Sequence, residues 1–125
     1  MRLWLAAVGR ARPGPELDLF TQYSKRLAAP IMLREVEEKR PLPTPERMSR
    51  EAELLLAAIP SRAVVVALDE RGKAMGSVEF AGRLTRWRDD GVADLAFLIG
   101  GADGHARAVR DRAALLLSFG AMTWP

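Results

Sequence analysis

A chain of 125 residues, 49% hydrophobic and 28% charged, has the size and composition of a single folded domain, residues 1–125, with a core of its own. With no cysteine and one histidine, disulfides, thiol nucleophiles and Cys-ligated zinc are excluded, a metal site is not expected, and no apolar run approaches the ~18 residues of a membrane span. The net charge of +3 is uneven, because residues 1–50 carry ten Lys and Arg against six acids while residues 51–125 carry nine against ten.

Arg2-Leu3-Trp4-Leu5-Ala6-Ala7-Val8 reads as a strand ended by Gly9. Its apolar part, Leu3 to Val8, is too short for a secretory core and no small-residue cleavage site follows, so the expectation is a cytoplasmic chain. Pro13-Gly14-Pro15 makes a turn, and Leu17, Phe20, Tyr23 (or Ser24) and Leu27 then recur at helical spacing until Pro30. Residues 31–36 read as a second strand. Three prolines in residues 39–45 demand a loop, from which Thr44 is expected to cap a helix that opens on Pro45 and Glu46 and runs to about Ile59.

Ala63-Val64-Val65-Val66-Ala67-Leu68 is apolar on both faces, the pattern of a central strand in a covered parallel sheet. Asp69-Glu70-Arg71-Gly72-Lys73 reads as a polar turn, after which Ser77 is expected to cap a helix carrying Phe80, Leu84 and Trp87 on its core face. Residues 94–99 form a fourth strand and Gly100-Gly101-Ala102-Asp103-Gly104 a tight loop. Residues 105–114 are expected to be helical, and residues 115–122 a fifth strand. The sum is an α/β domain with a mostly parallel five-stranded sheet and helices on both faces. Ligands of such sheets sit beyond the carboxyl ends of the strands, here the loops after Leu68, after Ile99 and around Met122.

Loop 100–104 joins a strand to a helix, where main-chain N–H groups can face an anion or a nucleotide. Its glycines serve a plain tight turn equally well, and its spacing is neither the dinucleotide fingerprint nor a P-loop. His105 lacks a nucleophile elbow nearby and reads as a surface residue at a helix start. Asp69, Glu70 and Asp103 follow strand ends, so paired carboxylate chemistry is open to them, as is simple turn capping. Trp4, Phe80 and Trp87 read as core. The basic first half suits a polyanion, with Arg10, Arg12, Lys25, Arg26, Lys39 and Arg40 as the candidate contacts; a solvated surface is the alternative. After Arg112 thirteen residues carry no charge, so the chain is expected to stop on apolar surface that a partner or a missing segment would cover.

Three stretches carry a family resemblance: Ala67-Leu68-Asp69-Glu70-Arg71-Gly72-Lys73; Phe97-Leu98-Ile99-Gly100-Gly101-Ala102-Asp103-Gly104-His105; and Leu117-Ser118-Phe119-Gly120-Ala121-Met122-Thr123-Trp124-Pro125. Together with Val8-Gly9 and Tyr23-x-Lys25-Arg26, they resemble the ribosomal RNA large subunit methyltransferase H family, a branch of the SPOUT methyltransferases with a deep trefoil knot. The resemblance implies methyl transfer from S-adenosylmethionine to N3 of a pseudouridine in large-subunit ribosomal RNA, on the ribosome, by a homodimer. It implies cofactor contacts at Leu68, Gly101, Gly120, Ala121, Met122, Thr123, Trp124 and Pro125, and it assigns no proton acceptor. Family members continue past Trp-Pro with a helix that threads the knot and a tail toward the RNA. The expectation for this chain is therefore an incomplete knot and weak activity. The alternatives are a non-catalytic RNA-binding remnant or a small α/β interaction module.

Overall fold

In the computed structural model, which describes residues 1–124, nine elements alternate: β1 (Arg2–Val8), α1 (Pro15–Ser24), β2 (Ile31–Val36), α2 (Thr44–Ala57), β3 (Val64–Ala74), α3 (Ser77–Asp89), β4 (Asp94–Ile99), α4 (Arg107–Arg112) and β5 (Leu115–Ser118). The strands order as β2-β1-β4-β3-β5, and every pair among the described residues is parallel. All their carboxyl ends therefore share one edge. That edge is where β-α loops gather, so the topology alone decides where a ligand can sit.

Side chains alternate across the sheet with period two. Ala6, Val65, Ala67, Ala96 and Leu98 face one way, against Ala52, Leu55 and Ile59 of the α2 region and Val109 of α4. Val66, Leu95, Leu115 and Leu117 face the other way, against Phe80, Leu84 and Trp87 of α3. The sheet is thus covered on both faces, which is why its central strands can be apolar throughout. At the amino edge, Asp94 accepts hydrogen bonds from Arg2 Nη2 and Trp4 Nε1, each at 2.9 Å, tying β1 to β4.

Several expectations give way. Residues 69–73 are no free turn: β3 continues to Ala74 through a slip in which Leu68 and Lys73 both lie opposite Leu117. The slip is stabilised locally by Asp69 Oδ1, which accepts the Arg71 N–H at 2.9 Å. Thr44 and Ser77 are not caps but the first helical residues; Pro43 and Gly76 hold the cap positions, with no side-chain cap bond. Helix α1 ends at Ser24, short of Leu27, and leaves Leu19 and Tyr23 exposed. The last helix shrinks to Arg107–Arg112 because His105 folds inward, 5% exposed, rather than facing water. The fifth strand stops at Ser118: the chain turns at Gly120 (φ 114°), whose N–H donates to Ser118 Oγ at 3.0 Å.

Candidate functional site

At the carboxyl edge of β3, β4 and β5 lies a cavity of about 630 Å³. Its walls come from residues 68–71, residues 99–105, and Leu117, Phe119, Gly120 and residues 122–124. Of the candidate cofactor contacts, Leu68, Gly101, Gly120, Met122, Thr123 and Trp124 line it together, although up to 56 residues separate them in sequence. Ala121 is exposed and outside the lining, and Pro125 lies outside the described residues.

The lining mixes two chemistries. Phe119, Met122 and Trp124, each more than half exposed, make an apolar wall. The rest of the lining holds main-chain groups of the glycine loop with Asp69, Glu70, Asp103 and Arg71. Asp103 is paired with Arg47, and the nearly buried Asp69 lies 3.6 Å from Arg71 and 3.9 Å from Arg110, which leaves Glu70 as the exposed carboxylate. The apolar side chains suit a flat ring. The volume falls within the ~300–1,000 Å³ of small-molecule sites.

Loop 100–104 is closed on itself, Gly104 N–H donating to the Gly101 carbonyl at 3.0 Å, with Gly104 at φ 83°. Two outside contacts hold it. Arg47 of α2 donates to Asp103 at 2.6 Å. Below the loop, His105 Nε2 lies 3.2 Å from the Leu98 carbonyl. Burial pushes this imidazole below its ordinary pKa, opposed by the Leu98 and Leu68 carbonyls and by Asp69. A neutral ring carries one N–H, and the tautomer with that proton on Nε2 is the one that donates to the Leu98 carbonyl.

The room left by glycine at 101 is not on the cavity side. A Cβ there would stand 2.9 Å from the Glu51 carboxylate of α2, a group outside the lining. Burial raises the Glu51 pKa, with Arg47 lowering it and Asp103 adding to the rise. Glu51, Arg47 and the burial of His105 were missed by sequence reasoning, since helix α2 lies about fifty residues before the loop it steadies. No local sequence signal marked them; only in the fold does Gly100 come against His105, where a Cβ would sit 3.2 Å from the ring. Asp69 Oδ2 and Arg110 Nε, 3.9 Å apart, are buried without a hydrogen-bond partner beneath the same edge.

The six basic candidates are all exposed, and the topology separates them. Arg10 and Arg12 follow β1 and Lys39 and Arg40 follow β2, on the cavity's edge of the sheet; Arg10 is 3.6 Å from Glu37 and Arg40 is paired with Glu38. Lys25 and Arg26 follow α1, on the return toward the amino edge, with the Arg26 guanidinium 4.7 Å above the Tyr23 ring. Among the described residues no group of three or more His, Cys, Asp or Glu is arranged to hold a metal, and no helix is long and apolar enough to cross a membrane.

The whole chain, residues 1–125, matches the family described as "Predicted SPOUT methyltransferase". It is 66% identical to the ribosomal RNA large subunit methyltransferase H of Paramagnetospirillum magneticum, over all of this chain and 82% of that one. Proteins of the same name from Rhodospirillum centenum and Rhodospirillum rubrum are 60% and 53% identical over the same shares.

Proposed function

Because this chain belongs to the SPOUT methyltransferase family, we propose that it is a large-subunit ribosomal RNA methyltransferase that uses S-adenosylmethionine to methylate N3 of a pseudouridine, working in the cytoplasm as a pair of identical chains. The observation that carries this reading is the cavity of about 630 Å³ into which three separated sequence stretches converge. Its residues fit the donor: an apolar wall at Phe119, Met122 and Trp124 for the purine, main-chain groups of loop 100–104 for its edge, and the exposed Glu70 carboxylate for a positive charge.

When bound, the donor supplies a methyl carbon made electrophilic by its sulfonium. The chain's own share is alignment and exclusion of water, for which rigid walls matter more than a reactive side chain. Leu68 and Leu117 add apolar lining, and the loop is fixed by Arg47 on Asp103 and by His105 on Leu98. Asp103 is engaged by Arg47, and the His105 ring proton is engaged by a carbonyl, so neither group is idle. Arg10, Arg12, Lys39 and Arg40 give the same edge of the sheet the positive charge a polynucleotide needs.

The test measures S-adenosylhomocysteine binding by titration calorimetry and transfer of labelled methyl groups to large ribosomal subunits. Saturable binding and labelling that disappears when the pseudouridine is replaced by uridine are expected. Label placed equally on the uridine-containing RNA would overturn the target, and absence of saturable binding would overturn the site.

A further inference from the structure

We propose that His105 is a positioning residue that staples the glycine loop to the end of β4 and so sets the affinity of the cavity for its methyl donor. This rests on the reading of the cavity given above and extends it to a residue that lies beneath the loop.

Loop 100–104 leaves the sheet immediately after Ile99 and is followed at once by His105. The imidazole turns back under the loop and meets the Leu98 carbonyl at 3.2 Å, while remaining only 5% exposed. Both ends of the loop are thereby pinned to one point of β4. The fit is tight: a Cβ on Gly100 would lie 3.2 Å from His105 Cε1, 3.2 Å from Nδ1 and 3.2 Å from the Gly104 carbonyl carbon. Glycine at 100 is therefore matched to the ring beneath it. His105 is also part of the cavity lining, so a shift of the ring moves the loop's main chain relative to Leu68 and Leu117. Asp69 faces the ring from β3, and Arg110 of α4 stands 3.9 Å from that carboxylate, so both charges lie nearby.

A side chain that only filled space would be replaceable by leucine. A hydrogen-bonding staple is replaceable by glutamine, whose amide N–H₂ offers a donor in place of Nε2. His105→Leu is expected to weaken S-adenosylhomocysteine binding about tenfold, the size of one buried hydrogen bond. In turnover it should raise the donor KM with kcat within about twofold, because alignment in the loaded state is recovered. Amide hydrogen exchange of residues 100–104 in the ligand-free protein should accelerate, and His105→Gln should restore both measurements. Gly100→Ala, which presses on the ring and on the Gly104 main chain without removing either, should weaken binding too, and its effect should shrink, though not vanish, when combined with His105→Leu. If His105→Leu fails to fold, Gly100→Ala and His105→Gln carry the test alone. Unchanged affinity in His105→Leu or Gly100→Ala, unchanged loop exchange, or a glutamine variant as weak as leucine would each overturn the staple. Failure of the unmodified protein to bind S-adenosylhomocysteine would instead overturn the cavity assignment on which the inference rests.

Discussion

Two glycines near the cavity illustrate how differently the same residue is used. At Gly72 a Cβ would lie 2.5 Å from the Leu116 carbonyl oxygen and 2.9 Å from the Leu117 nitrogen. Those are main-chain atoms of the neighbouring strand, which cannot swing aside, so the clash must separate β3 from β5. At Gly101 the obstructing atom is the end of the Glu51 side chain, which can rotate. Gly72→Ala is accordingly expected to destabilise the fold by about 2 kcal/mol or more. Gly101→Ala should cost far less and keep S-adenosylhomocysteine affinity within about threefold. Urea unfolding and titration calorimetry on the two variants check this, and equal losses would refute the distinction. From the sequence, Gly101 was legible as a loop glycine, yet the direction of its vacant side was not. That direction depends on α2, which meets the loop only through tertiary packing.

At the scale of elements, β2 and α2 are joined by residues 37–43 with three prolines close by, and the joint is electrostatic. Glu38 accepts from Arg40 Nε at 2.9 Å and from Arg50 Nε of α2 at 3.2 Å. The two guanidiniums hold its carboxyl at about 2, Arg40 having the larger share. A carboxylate whose folded value is depressed stabilises the fold fully above its unfolded value of 4.5, and that stability is lost as pH falls toward 2. The thermal midpoint of the protein should therefore drop between pH 4.5 and 2.5 more steeply than that of Glu38→Gln. Parallel slopes would show that the pair adds nothing. Most element types and their order were legible, because two-sided apolar runs such as residues 63–68 and the proline and glycine stops act locally. The continuation of β3 through Asp69–Arg71 was not. Its polar residues look like a turn, and only the pairing of Leu68 and Lys73, on either side of them, with Leu117 more than forty residues away holds this bulged stretch within the strand.

Across the whole molecule, one edge of an all-parallel sheet carries both the cavity and four of the six basic candidates. If RNA docks there, the two ends of the sheet contribute unequally. Replacing Arg10 and Arg12 together by alanine should flatten the salt dependence of RNA affinity by about 0.9 in log–log slope for each duplex phosphate no longer neutralised. Lys25→Ala with Arg26→Ala, toward the opposite edge, should leave the slope unchanged. Affinities measured between low and moderate salt decide, and the reverse pattern would place the RNA at the amino edge. Convergence of the three motifs was legible only as a rule about strand ends; the measure of the resulting space required the fold.

The strand order has one more consequence, felt before the protein is finished. β1 pairs on one side with β2, its near neighbour in the chain, but on the other with β4, whose first paired residue, Asp94, lies opposite Arg2. During translation the first strand therefore emerges early and keeps an open hydrogen-bonding flank until some ninety further residues have cleared the exit tunnel. Over that interval the nascent segment is exposed to mispairing, and cooperative closure awaits the arrival of Asp94–Ile99.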